Sequence, residues 1–92
     1  MSERVHYKIK VSGRVQGVWF RKYTREAAES FGVMGFVKNA SDGSVYLEAE
    51  GSMQEMQQLL DWLRGGSPLS RVDEVSFSEG PLTGYRNFEI RR

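Results

Sequence analysis

Cysteine is absent from the 92 residues, and histidine occurs once, at His6. These gaps remove disulfide scaffolds, thiolate zinc sites, iron–sulfur clusters and thiol nucleophiles. Histidine-clustered metal sites and multi-histidine relays are left without material. Charge of one sign is also in short supply. Thirteen Lys and Arg stand against twelve Asp and Glu, net +1, with no basic or acidic block. Electrostatic wrapping of nucleic acid and adhesion to an anionic membrane therefore lack compositional support. No apolar run approaches the roughly 20 residues of a membrane span, and Met1 to Lys10 alternates where a secretory leader would show an apolar block. A cytoplasmic location is expected. With 39% apolar and 27% charged residues, the chain reads as one soluble domain over residues 1–92. At this size roughly 60 to 65% of the unfolded surface is buried, which leaves little length for a lid or cofactor domain. An enzyme of this composition works with Arg, Lys, Asp, Glu, Ser, Thr, Tyr, Asn, Gln and backbone amides.

What is present is orderly. Val5, Tyr7, Ile9 and Val11 alternate with His6, Lys8, Lys10 and Ser12, the pattern of a strand with one buried face. Gly13 and Gly17 bracket a loop, after which Phe20, Tyr23, Thr24, Ala27, Ala28 and Phe31 fall at helical spacing and Gly32 supplies a left-handed stop. Lys22, Arg25, Glu26 and Glu29 take the outer face, with Lys22–Glu26 and Arg25–Glu29 as i,i+4 pairs. Val33 to Asn39 reads as a second strand, 39–43 as a hairpin loop with an Asp42-Gly43 signal, and Val45, Leu47 and Ala49 as the inner face of a third strand. Ser52 and Glu55 form a capping box before a helix whose stripe is Met53, Met56, Leu59, Leu60 and Leu63. Gly65, Gly66 and Pro68 end it. A fourth strand runs from about Arg71 to Glu79, and Phe88 and Ile90 mark a short last one.

The order β-α-β-β-α-β, with a terminal strand appended, predicts an α+β, ferredoxin-like sandwich with both helices on one face of an antiparallel sheet. The first two strands, joined by a helical crossover, run parallel. Their C-terminal ends therefore share one sheet edge, which brings the glycine loop beside Asn39.

The segment Gly13-Arg14-Val15-Gln16-Gly17-Val18-Trp19-Phe20-Arg21 leads from a strand through a glycine turn into a helix. The first-turn N–H groups of such a helix lack intrahelical partners and sit at its positive end, and Arg21 adds a bidentate cation suited to phosphate. On these features alone the segment is either an anion cradle or a plain turn with a solvated arginine. It is neither a Walker loop nor a dinucleotide motif. Asn39, read by itself, is a turn residue at a strand end.

The chained pattern Gly-x-Val-Gln-Gly-Val-x-Phe-Arg, Ala28-x-x-x-Gly32, Gly35-x-Val37-x-Asn39, Asp42-Gly43-x-Val45, Glu50-Gly51 and Phe88-x-Ile90 closely resembles the acylphosphatase family over nearly the whole chain. The resemblance implies a ferredoxin-like fold and hydrolysis of acyl phosphates to a carboxylate and inorganic phosphate. It makes Arg21 the phosphoryl-binding arginine, acting with the loop amides of Val15, Gln16, Gly17, Val18, Trp19 and Phe20. Asn39 becomes the residue that positions the attacking water. Phe36, where tryptophan is frequent, and Ala40, where threonine often follows the asparagine, depart from the common pattern. The expected partner is a small acyl phosphate, with no cofactor, metal, nucleic acid or membrane, and the expected state is a monomer. A carboxylate leaves easily, so positioning and charge stabilisation suffice, without a covalent phosphoenzyme or a histidine role.

Two other readings have less support. An RNA binder is suggested by Gly35-Phe36-Val37-Lys38, but Tyr46 is the only stacking aromatic expected to face outward on the third strand. A non-catalytic phosphate- or carbamoyl phosphate-binding module would sit inside a larger enzyme. Of the remaining residues, His6 is expected to be solvated beside Lys8 and Lys10, Glu48 and Glu50 to be surface charge, and Met53 and Met56 to be core. Trp19 either shapes the acyl side of the pocket or simply packs.

Overall fold

The computed structural model describes residues 3–92, so Met1 and Ser2, the start of the alternating segment, lie outside the described residues. The elements are β1 (Arg4–Arg14), α1 (Phe20–Phe31), β2 (Met34–Asn39), β3 (Val45–Ser52), α2 (Met53–Gly65), β4 (Arg71–Gly80) and β5 (Phe88–Arg91). The alternating apolar positions of β1 and β3 face one way. They form one core with Phe20 and Ala28 of α1 and with Met56, Leu59, Leu60 and Leu63 of α2. Both helices thus cover the same face, the α+β arrangement expected from the element order. Among the described residues no helix is long and apolar enough to cross a membrane.

Local signals set the helix ends. Gly32, at φ 79°, closes α1 by donating its N–H to the Ala28 and Glu29 carbonyls. At the start of α2, Ser52 Oγ accepts from the Glu55 N–H at 3.1 Å, and Glu55 Oε1 accepts from the Ser52 N–H at 2.9 Å. The helix surfaces bring two corrections. Neither Lys22–Glu26 nor Arg25–Glu29 is among the ion pairs formed by the described residues. Lys22 lies over the Trp19 ring, 5.9 Å from its centroid, and Arg25 lines a cavity. Exposed pairs contribute only a few tenths of a kcal/mol, so such competitors decide the side-chain positions. Met53 is 56% exposed and not core, because it opens α2 and turns its sulfur to the Tyr7 hydroxyl.

The strand order is β4-β1-β3-β2-β5. β1 pairs antiparallel with β3 and β4, and β2 with β3, but β5 joins β2 in parallel, so the sheet is mixed where an antiparallel one was expected. Chain length explains the difference. β4 ends at Gly80 opposite His6, near the start of β1, and β5 begins at Phe88 opposite Gly35, near the start of β2. Four inter-strand spacings amount to roughly 19 Å, and the eight steps from Gly80 to Phe88 reach at most about 26 Å. The chain has length to cross the sheet at that end and none to travel to the other. β5 therefore starts where β2 starts and runs with it.

The helices occupy one face, so the crossing passes over the other and buries part of it. His6 and Glu50 are 2% and 1% exposed, which corrects the expectation of a solvated His6 and of Glu50 as surface charge. His6 lies between carboxylates, with Nδ1 2.8 Å from Glu50 Oε2 and Nε2 2.9 Å from Glu48 Oε1. Glu48 is likewise engaged, accepting also from the Tyr46 and Tyr85 hydroxyls. Backbone N–H groups of the crossing segment have no strand partner and need acceptors. Glu50 supplies them, accepting from Thr83, Gly84 and Tyr85. Burial pushes the Glu50 carboxyl up, but His6 and these three N–H groups outweigh it and hold the group at about 2. Phe36 is covered on the same face by Tyr85 and by the Arg91 guanidinium, 4.0 Å from its ring centroid.

Candidate active site

Because β1, β2 and β5 run the same way, their C-terminal ends meet at one edge of the sheet. An open cavity of about 510 Å³ lies there. Val15, Gly17, Trp19 and Phe20 line it from the loop after β1, Asn39 from the end of β2 and Ile90 from β5. Arg21, Lys22 and Arg25 enter it from α1. Arg21 and Asn39, distant in sequence, share one space.

The loop owes its course to glycine at two places. Gly13, at φ 131°, sits where the β1–β4 register shifts, and a Cβ there would run into the Arg71 backbone. Gly17 adopts φ 74°, and Trp19 follows at φ 61°, the one non-glycine residue with positive φ among those described. Left-handed residues spaced this way turn backbone N–H groups toward a common side, as anion-binding nests do. From Gln16 to Arg21 no backbone N–H donates to a protein acceptor among the described residues. The N-terminus of α1 also lacks a side-chain cap and an acidic first turn. Its positive end is able to receive an anion.

Two side chains complete the polar set. Arg21 Nη1 donates to the Arg91 carbonyl at 3.0 Å, so β5 orients the guanidinium, and its other donors have no acceptor among the described residues. Asn39 Oδ1 is buried and has no donor among the described residues. A hidden acceptor of this kind costs about 1–3 kcal/mol unless it meets a donor, which suits it to receive an O–H. Gln16 ties the two halves together, its Nε2 donating to the carbonyls of Ala40 and Ser44, each at 2.8 Å. The hairpin is braced from within by Asp42, which accepts from the Ser44 N–H and hydroxyl and pairs with Lys10 at 2.8 Å. Those contacts hold its carboxyl well below the usual carboxylate range.

Of the loop residues singled out from sequence, Val15, Gly17, Trp19, Phe20 and Arg21 line the cavity together with Asn39. Gln16 acts as a strut through its side chain, and Val18 is buried among core residues. Trp19 is 70% exposed at the mouth of the cavity, so it does not pack in the core. Sequence reasoning assigned Lys22 and Arg25 to a solvated face, although Arg25 follows Arg21 by four residues and so shares its side of the helix. Ile90 was read only as a mark of the last strand, and nothing local tied it or Arg91 to the cavity. Among the described residues the cavity wall carries three cations and no carboxylate.

The family model described as Acylphosphatase matches residues 7–90. An acylphosphatase of Thermotoga petrophila is 44% identical over 84 residues, covering 91% of this chain and 93% of that protein. Acylphosphatase-1 of Gallus gallus is 43% identical over 86 residues, covering 89% and 87%. The crystal structure of acylphosphatase from Bacillus subtilis superposes with a TM-score of 0.93 at 38% identity, covering 96% of this chain and 99% of that one.

Proposed function

The chain belongs to the acylphosphatase family, enzymes that hydrolyse acyl phosphates, and from that premise we propose how its own cavity performs the reaction. The phosphoryl group sits at the N-terminus of α1, held by the amides of residues 15–20 and by Arg21. Asn39 accepts a hydrogen bond from a water and aims its oxygen at phosphorus. The new P–O bond forms as the bond to the acyl oxygen breaks, and the electron pair departs with the carboxylate. The water's proton passes to a phosphoryl oxygen or to solvent. A carboxylate is stable as it leaves, so no general acid is required, and the loose transition state needs mainly charge stabilisation and alignment. Arg21 and the amides supply the positive charge, so the reading assigns no metal and no phosphoenzyme. It treats residues 1–92 as one catalytic unit. It takes the monomer as the working unit.

The observation that carries this reading is the shared cavity of Arg21 and Asn39, with the Asn39 oxygen buried and unpaired beside free loop amides. Hydrolysis of benzoyl phosphate in oxygen-18 water with a chelator tests it. The heavy oxygen is expected in phosphate and not in benzoate, at a rate the chelator leaves unchanged. Label in benzoate, or a rate no greater than the spontaneous one, overturns it.

A further inference from the structure

Arg25 stands one helical turn beyond Arg21 on the same side of α1, and both line the cavity. Its Nε is buried with no hydrogen-bond partner, and it forms no ion pair among the described residues. A buried cationic donor without an acceptor is costly unless a ligand supplies one. Phosphate binding as proposed above uses the loop amides and Arg21 and leaves Arg25 unmatched. Nor does the wall answer it, since its other charged residues among those described, Arg21 and Lys22, are cations. The same cavity offers apolar surface from Trp19 and Ile90, which suits the body of an acyl group.

Resting on that reading of the phosphate site, we infer that Arg25 is a specificity-determining residue which binds an anionic group carried by the acyl part of the substrate. The preferred substrates are then acyl phosphates bearing a second negative charge, such as a carboxylate remote from the phosphoryl group. Arginine suits this role because its planar fork takes a carboxylate through two parallel hydrogen bonds. A remote anion held equally in ground and transition states acts mainly on KM.

The test compares benzoyl phosphate with 3-carboxybenzoyl phosphate, whose meta carboxylate cannot reach its own phosphoryl group. The readout is the ratio of kcat/KM for the charged over the neutral substrate. Wild-type protein is expected to favour the charged one. Arg25→Gln is expected to lower the ratio about tenfold, chiefly through KM, as befits loss of one charge-assisted pair. Arg25→Glu reverses the preference, and Arg25→Lys retains most of it because the charge remains. An unchanged ratio in Arg25→Gln, whether both substrates slow equally or neither slows, overturns the inference, and an equal loss would assign Arg25 to the phosphate. Failure of wild-type protein to hydrolyse benzoyl phosphate, or indifference of that rate to Arg21→Gln, strikes the underlying reading and brings both down.

Discussion

The side-chain amide of Gln16 donates to the carbonyl of Ala40 across the edge of the sheet, at 2.8 Å. The same nitrogen reaches Ser44 O at an equal distance, so one residue of the loop after β1 fastens the hairpin that follows Asn39. Replacing Gln16 by Ala removes both bonds and is expected to lower stability by about 1–2 kcal/mol. Because the bonds set the distance between Asn39 and the loop amides, kcat for benzoyl phosphate should fall by about tenfold, by misalignment alone. Urea melts and steady-state kinetics on one preparation check this. A destabilised variant with full kcat would show that the strut does not align the site.

Arg21 and Asn39 are expected to separate kinetically. Loss of one preorganised donor typically lowers kcat by about 100- to 1,000-fold, and Arg21→Gln should exceed this because it also removes a charge. In the proposed role Arg21 would meet the phosphate in the ground state too, so its variant should raise KM. Asn39→Ala should lower kcat with little change in KM, because a water-positioning group acts in the transition state. The reverse pattern, a large KM effect for Asn39→Ala, would place Asn39 on the substrate.

Gly13→Ala tests the backbone of the bulge. The added methyl would collide with the Arg71 backbone at a φ that L-residues avoid. A loss of about 3 kcal/mol is expected from the combined clash and strain, read as a shifted urea midpoint. Gly17→Ala meets no atom within 4 Å, so only its φ of 74° resists, and about 1 kcal/mol is expected. Equal losses at the two positions would remove the collision from the account.

Glu50 connects pH to stability. Its folded value, about 2, lies below that of an unfolded carboxylate, near 4.3. The contribution is therefore fully present above the unfolded value and is lost as pH falls toward the folded one. Glu50→Gln should destabilise the protein by about 3 kcal/mol at pH 7, since it leaves His6 and the crossing amides with a neutral partner. Thermal melts should show the gap between wild type and variant narrowing from pH 5 to pH 2. A constant gap would remove Glu50 as the origin of that acid sensitivity.

How much of this was legible beforehand depends on the reach of each signal. Alternation in β1 and β3, helical spacing in α1 and α2, the Gly32 stop and the Ser52–Glu55 capping box act over a few residues, and the structure shows each of them. Topology placed the glycine loop beside Asn39 because a helical crossover makes two strands parallel. The alternation also put His6 and Glu50 on the face opposite the helices. That this face is covered follows from the position of β5 at the far edge of the sheet, a pairing with β2 across some fifty residues that no local pattern encodes. The same placement brings the Arg91 carbonyl to Arg21 and Ile90 to the cavity. Local sequence set the elements, the inner face and the candidate anion loop before the helix, since sterics and periodicity are short-ranged. Which polar groups are paired, which are buried without a partner and which line the cavity was decided by the closed tertiary structure, because those depend on chain segments that meet only when the sheet is complete.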